Sequence, residues 1–170
     1  QGDVNLPGQV HMVVLRSPHP HARIRGIDGR AALAAPGVEA VLTGADLAKD
    51  NLGTMRMNLK RKRPDGSPMF TSPHLGLSPE RVRHIGDPVA LVIAETLAQA
   101  KDAAELVDVD YEPLPAVTGT ADAVKPGAPP VWDECPDNIS SVYGAGNKAA
   151  AAAAMAGAAH IIRRRFAITP

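Results

Sequence analysis

The continuous apolar run Val89-Ala-Leu-Val-Ile-Ala94 constrains this chain more than any other stretch. It lacks the polar alternation of a strand with one wet face, so it reads as a strand covered on both sides. Directly after it, Thr96 stands three residues before Gln99, the pattern of a capping box that opens a helix. Leu97, Ala100, Ala103, Ala104 and Val107 then recur at helical spacing and form one apolar stripe. Asp108-Val-Asp-Tyr-Glu112 supplies another strand, halted by Pro113 and Pro115. Strand, helix and strand in this order predict a right-handed βαβ unit and an α+β or α/β fold with a mixed sheet.

The 170 residues suit one domain, and aromatic residues make up only 3%, so Val, Ala, Leu and Ile must build the core. His11-Met-Val-Val-Leu15 reads as a first strand closed by Ser17-Pro18, and Pro18 and Pro20 force an extended path. A second strand is expected over 22–27. Asp28 is placed to cap a short helix running to about Ala35, which Pro36-Gly37 ends. Val38 to Thr43 reads as a strand and Gly44-Ala-Asp46 as a turn. Residues 49–80 hold Gly, Pro, Ser and a basic run without a sustained period, which makes them a long excursion, functional or partner-ordered rather than core. Residues 125–145 look irregular. The alanine-rich stretch 148–159 reads as a helix that needs close docking for stability, and 160–168 as a strand.

Charge narrows the possible functions. With 18 basic and 18 acidic residues the chain lacks the long-range attraction of a dedicated nucleic-acid or acidic-membrane binder. No apolar run approaches the roughly 20 residues needed to span a bilayer. The chain starts at Gln1, so a removed leader stays open. One cysteine, Cys135, rules out an intrachain disulfide framework and any multi-cysteine cluster made by this chain alone, and points to a reducing, cytoplasmic setting. There is no Gly-rich phosphate loop, no Gly-x-Ser-x-Gly and no His-Glu-x-x-His. Cys135 reads as a partly buried thiol.

Two short segments carry the candidate site. His19 and His21 flank Pro20 in a stiff loop after Pro18, but two imidazoles with no third ligand fall short of a metal site. The stronger reading is a rigid loop that offers hydrogen bonds to a neighbouring surface. His84 and Asp87 make an acid–base pair conceivable. The turn reading is stronger, because Gly86 permits unusual backbone angles and Asp87 before Pro88 starts the next strand. Arg56, Lys60, Arg61, Lys62 and Arg63 form a basic cluster, read as solvated or as matched to an acidic partner face rather than nucleic acid. In the expected last strand, at least one of Arg163, Arg164 and Arg165 should face the interior or a contact surface. Asn138-Ile-Ser140 fits a glycosylation acceptor, with nothing else indicating secretion.

Taken in order, several blocks resemble the N-terminal α/β hammerhead domain of the xanthine dehydrogenase and aldehyde oxidase family of molybdenum hydroxylases. They are Asp3-Val-Asn-Leu-Pro-Gly8, Ser17-Pro-His-Pro-His-Ala-Arg-Ile24, Ala35-Pro-Gly-Val38, Ala40-Val-Leu-Thr-Gly44 and Gly86-Asp-Pro-Val-Ala90. Ala100-Lys-Asp-Ala-Ala104, Val109-Asp-Tyr-Glu-Pro-Leu-Pro-Ala-Val117, Asn138-Ile and the closing Arg-Arg-Phe166 continue the series. The uninterrupted run Ala149 to Ala154 departs from the more polar helix of the family.

The resemblance implies a single hammerhead-like domain over 1–170. It further implies a structural and assembly role in a molybdenum-cofactor hydroxylase, docked on the molybdopterin-binding domain or subunit and not catalytic alone. By the same resemblance this chain binds no cofactor unaided. The molybdopterin-type molybdenum cofactor belongs to the partner domains, with iron–sulfur clusters and FAD elsewhere in the complex. The family's glycine-rich pterin-binding segments and its glutamate base have no matching positions here. Pro18, His19, Pro20, His21, His84, Gly86, Asp87 and Pro88 are the expected contact face. The competing reading is an independent regulatory domain in which the 49–80 excursion recognises a small molecule or a protein.

Overall fold

A computed structural model describes residues 6–166. The first strand, β1 (His11–Arg16), is followed by β2 (Ala22–Asp28), a short helix α1 (Arg30–Leu33) and β3 (Val38–Thr43). Helix α2 (Gly44–Lys49) leads into the excursion, after which come β4 (Arg81–Val82) and β5 (Pro88–Ala94). Helix α3 (Leu97–Ala104), β6 (Asp108–Pro113), α4 (Thr120–Ala123) and α5 (Lys148–Ala156) complete the order.

The strands form two sheets, β1-β5-β3 and β4-β2-β6. The α/β class stands, but the expected βαβ unit in a mixed sheet does not form. β5 and β6 flank α3 as expected yet lie in different sheets, and every strand pair among the described residues is antiparallel. The reason lies in the edges of β5: β1 occupies one and β3 the other, so β6 has no ladder left there and pairs with β2 instead.

The reading of β5 as covered on both faces holds, and two clusters explain it. Val92 packs with Ala103 and Ala104 of α3, together with Ala32 and Val107. Val89 packs instead with Ala22 and Val82 of the second sheet. Ile27 and Val109 lie against both clusters and so join the two layers. Alanines at these contacts let the helix approach the sheet closely in a core almost without aromatics.

Local chemistry sets the element ends. Thr96 Oγ1 accepts the Gln99 N–H at 3.2 Å and opens α3, while its hydroxyl donates to Gln99 Oε1 at 2.7 Å. Gly29, not Asp28, is the residue that precedes α1, but Asp28 still takes the Arg30 N–H at 3.0 Å. Gly37 ends that segment at φ +73, a conformation that favours glycine. The expected turn at 44–46 is instead the start of α2. The N–H and hydroxyl of Thr43 both donate to the Asp46 carboxylate at 2.8 Å, a capping arrangement that stabilises a first turn.

The C-terminal expectations fail in part. Helix α5 forms, with Asn147 Oδ1 accepting the Ala150 N–H, but none of its residues is buried and it docks on nothing among the described residues. Residues 160–166 are exposed and make no strand, so Arg163, Arg164 and Arg165 do not point inward. Among the described residues no strand pairs with them, although β1, β3, β4 and β6 are edge strands. The remainder of that expected strand, 167–168, lies outside the described residues, as does the start of the Asp3–Gly8 block.

Candidate docking face and the adjoining cleft

Proline and glycine bring the two singled-out segments together. Pro18 and Pro20 hold the chain extended after β1, while Gly86 at φ +89 turns it back before β5. The Ser17 N–H donates to Asp87 O at 2.9 Å and the Gly86 N–H to Ser17 O at 2.8 Å. Arg16 adds a side-chain bond from Nη1 to Gly86 O at 2.8 Å. Segments about 70 positions apart in the chain are thereby fastened into one patch.

Within the patch the expected residues divide by exposure. Pro18 and His84 face solvent, joined by Ile85, which is 65% exposed. His19, Pro20, Gly86, Asp87 and Pro88 are half-buried. His19 lies against Tyr111, with ring centroids 4.9 Å apart, and burial pushes the Tyr111 hydroxyl above its ordinary range. His21 is buried: its Nδ1 sits 2.9 Å from Pro115 O and its Nε2 has no partner among the described residues. It therefore fixes the loop to the segment after β6 rather than reaching outward.

Asp87 serves the turn. Its Oδ2 accepts the Arg83 N–H at 2.8 Å and lies 3.6 Å from His84 Nδ1. A carboxylate already engaged by backbone, beside an imidazole in solvent, makes a turn clamp and not an acid–base couple. Among the described residues no three His, Cys, Asp or Glu side chains converge as metal ligands do.

Sequence reasoning missed the residues that tie the excursion down. From the basic cluster, Arg63 donates to Asp137 Oδ2 at 2.7 Å, to Ile139 O at 2.6 Å and to Cys135 Sγ at 3.2 Å. The Arg63 guanidinium beside Asp137 holds that carboxyl below its usual range. Arg61 lies over the Tyr143 ring at 4.0 Å. Two of the cluster's cations thus serve contacts inside the chain. Cys135 is buried, more fully than the partly buried thiol expected.

Asn138 is also committed, its amide donating to Ala123 O and Pro129 O and its Oδ1 accepting the Val131 N–H. An Asn so engaged is a brace and not a free glycan acceptor. Beside the patch, Arg83 stacks on Trp132 at 3.5 Å and opens onto a cleft of about 220 Å³. The one signal for these two was the lone tryptophan and the Arg-x-Arg spacing of β4.

No helix among the described residues is long and apolar enough to cross a membrane. Comparison with known proteins agrees with the blocks quoted above. The carbon monoxide dehydrogenase large chain of Afipia carboxidovorans is 39% identical over 143 residues, 84% of this chain and 16% of that protein. The nicotine 6-hydroxylase large subunit of Paenarthrobacter nicotinovorans is 38% identical over 81% of this chain and 16% of its own length. Among solved structures, a Cu,Mo-CO dehydrogenase superposes over 94% of this chain and 20% of its own, with TM-score 0.68 and 36% identity. Quinoline 2-oxidoreductase from Pseudomonas putida 86 gives TM-score 0.63 and 41% identity over 75% of this chain and 15% of its own. The chain therefore spans about 16% of the curated relatives that it matches. The model of the aldehyde oxidase and xanthine dehydrogenase a/b hammerhead domain matches residues 1–115, and the chain belongs to that family.

Proposed function

We propose that the chain is a structural and assembly module of a molybdenum-cofactor hydroxylase of the xanthine dehydrogenase and aldehyde oxidase type. It seats on the molybdopterin-binding domain or subunit and does not catalyse by itself. The module comprises 1–170, the excursion and the C-terminal helix included, in a cytoplasmic setting. The observation that carries this reading is the stitching of Ser17 to Gly86 and Asp87, which turns two unrelated loops into one rigid face with Pro18, His84 and Ile85 outermost. A preorganised face loses little entropy on docking.

The fully exposed α5 supports the same reading, since a short alanine-rich helix is marginal in water unless something packs on it. On this view the molybdenum cofactor sits on the partner domains, with iron–sulfur clusters and FAD elsewhere in the assembly. This chain's own residues then shape and hold the contact. No reaction step is assigned to them, because the buried thiol and the turn carboxylate are both committed to structure.

Co-expression with a polypeptide carrying the rest of a related large subunit tests the proposal. A stable complex burying roughly 2,000 Å² or more is expected. Amide hydrogen exchange should slow at 17–21, 84–88 and 148–156 on mixing. No complex at high concentration, or exchange unchanged at all three segments, refutes it.

A further inference from the structure

The cleft beside the candidate docking face holds a cation that makes no direct ion pair among the described residues, although Asp87, Glu134 and Asp133 lie near enough to act on its charge. Arg83 is half-buried with its guanidinium against Trp132. Nη1 donates to Arg81 O at 3.2 Å, and Nε is buried with no hydrogen-bond partner among the described residues. No carboxylate among the described residues forms an ion pair with it. The neighbouring Arg81 has taken Asp133, at 3.1 Å. Asp87 on this wall already accepts the Arg83 backbone N–H and lies beside His84, while Glu134 and Asp133 line the adjoining hollow and act on Arg83 only through space. A partly desolvated cation with an unfilled donor is costly, and the usual remedy is an anion.

The rest of the wall supplies what such an anion needs. The hydroxyl-bearing Ser72 and Ser78 and the imidazole-bearing His74 and His84 line the same cleft, with Pro73 and Leu75 giving it an apolar side. Its volume of about 220 Å³ is below the size of a drug-like pocket. It suits a group of a few heavy atoms. Guanidinium is the side chain best matched to the planar or tetrahedral oxygens of a carboxylate or phosphate.

The geometry points to a binding site for a small oxyanion, carboxylate or phosphate, gripped by Arg83 and the Ser72, Ser78, His74 and His84 wall. Trp132, the only tryptophan in the chain, sits on the gripping residue and reports occupancy directly.

The test titrates the 170-residue chain with sodium phosphate and, separately, sodium acetate, with sodium chloride at matched ionic strength as the reference. A saturable change in Trp132 fluorescence is expected with at least one of the two oxyanions and none with chloride. Phosphate alone marks a phosphoryl group as the ligand, acetate alone a carboxylate, and both outcomes support the site. Arg83→Gln should weaken binding about ten- to a hundredfold, the loss of a charge-assisted hydrogen bond.

A double Ser72→Ala, His84→Gln variant keeps the Arg–Trp stack and should weaken binding severalfold, so it decides the matter even if Arg83→Gln fails to fold. A response that is linear, that chloride reproduces, or that keeps its midpoint in a folded variant overturns the assignment.

Discussion

Replacing Asp87 separates a turn clamp from an acid–base partner. In the native turn, Asp87 Oδ2 lies 2.8 Å from the Arg83 N–H, a part-buried donor with no other acceptor among the described residues. Asp87→Ala leaves that donor unpaired, at a cost of about 2 kcal/mol. For a domain of this length, each kcal/mol lowers the melting midpoint by roughly 2–4 °C, so a fall of about 4–8 °C follows. Asp87→Asn keeps an acceptor oxygen in place and should stay within about 1 kcal/mol of the parent.

His84→Ala provides the contrast. Its side chain is 67% exposed, and truncating it should change stability by no more than about 0.5 kcal/mol. Urea unfolding followed by far-UV circular dichroism measures all three variants under one protocol. Equal losses for Asp87→Ala and Asp87→Asn would refute the clamp, because then charge and not acceptance matters. A loss for His84→Ala as large as that for Asp87→Ala would do the same by making the pair the operative unit.

Two further outcomes follow from burial and capping. Leu77 is 1% exposed although it lies in the long excursion, so Leu77→Ala should cost about 2–5 kcal/mol by urea titration, whereas Leu75→Ala, 41% exposed, should cost far less. Similar losses for both would show that the excursion is not anchored at Leu77. The Asp46 carboxyl is held below its ordinary value, 3.8, first by the Thr43 N–H and then by the Thr43 hydroxyl. Because the folded value is the depressed one, this cap contributes its full stability above the ordinary carboxylate range and loses it as pH falls through the folded value. Stability measured from pH 6 downward should therefore fall less steeply in Asp46→Asn than in the parent, and parallel curves would remove Asp46 from the account.

Elements whose signals are local were legible in the sequence. The run at β5, the Thr96 cap and stripe of α3, and the proline stops after β1 and β6 each placed an element within a residue or two. Pairing was not legible, since nothing in Val89–Ala94 tells that β1 and β3 take both its edges. Over 160–166 the expected strand is absent because alternation marks a segment able to pair and does not say whether a partner strand lies beside it.

At the candidate face, Gly86 and Asp87 were read correctly as a turn from their residue types. The burial of His21 depended on Pro115, 94 positions away, and Arg63 depended on Asp137 and Ile139, 74 and 76 away. No single-chain pattern announces such partners.

Every ladder joins a strand from residues 11–43 to one from residues 81–113, and no two strands of the first group pair with each other. A nascent chain must therefore wait until the second group has emerged before either sheet can nucleate. Contacts this remote in sequence favour slow folding and prolonged exposure of bare strands. A product cut short between positions 43 and 81 is left with three unpaired ribbons, a substrate for chaperones and proteases and not a smaller domain.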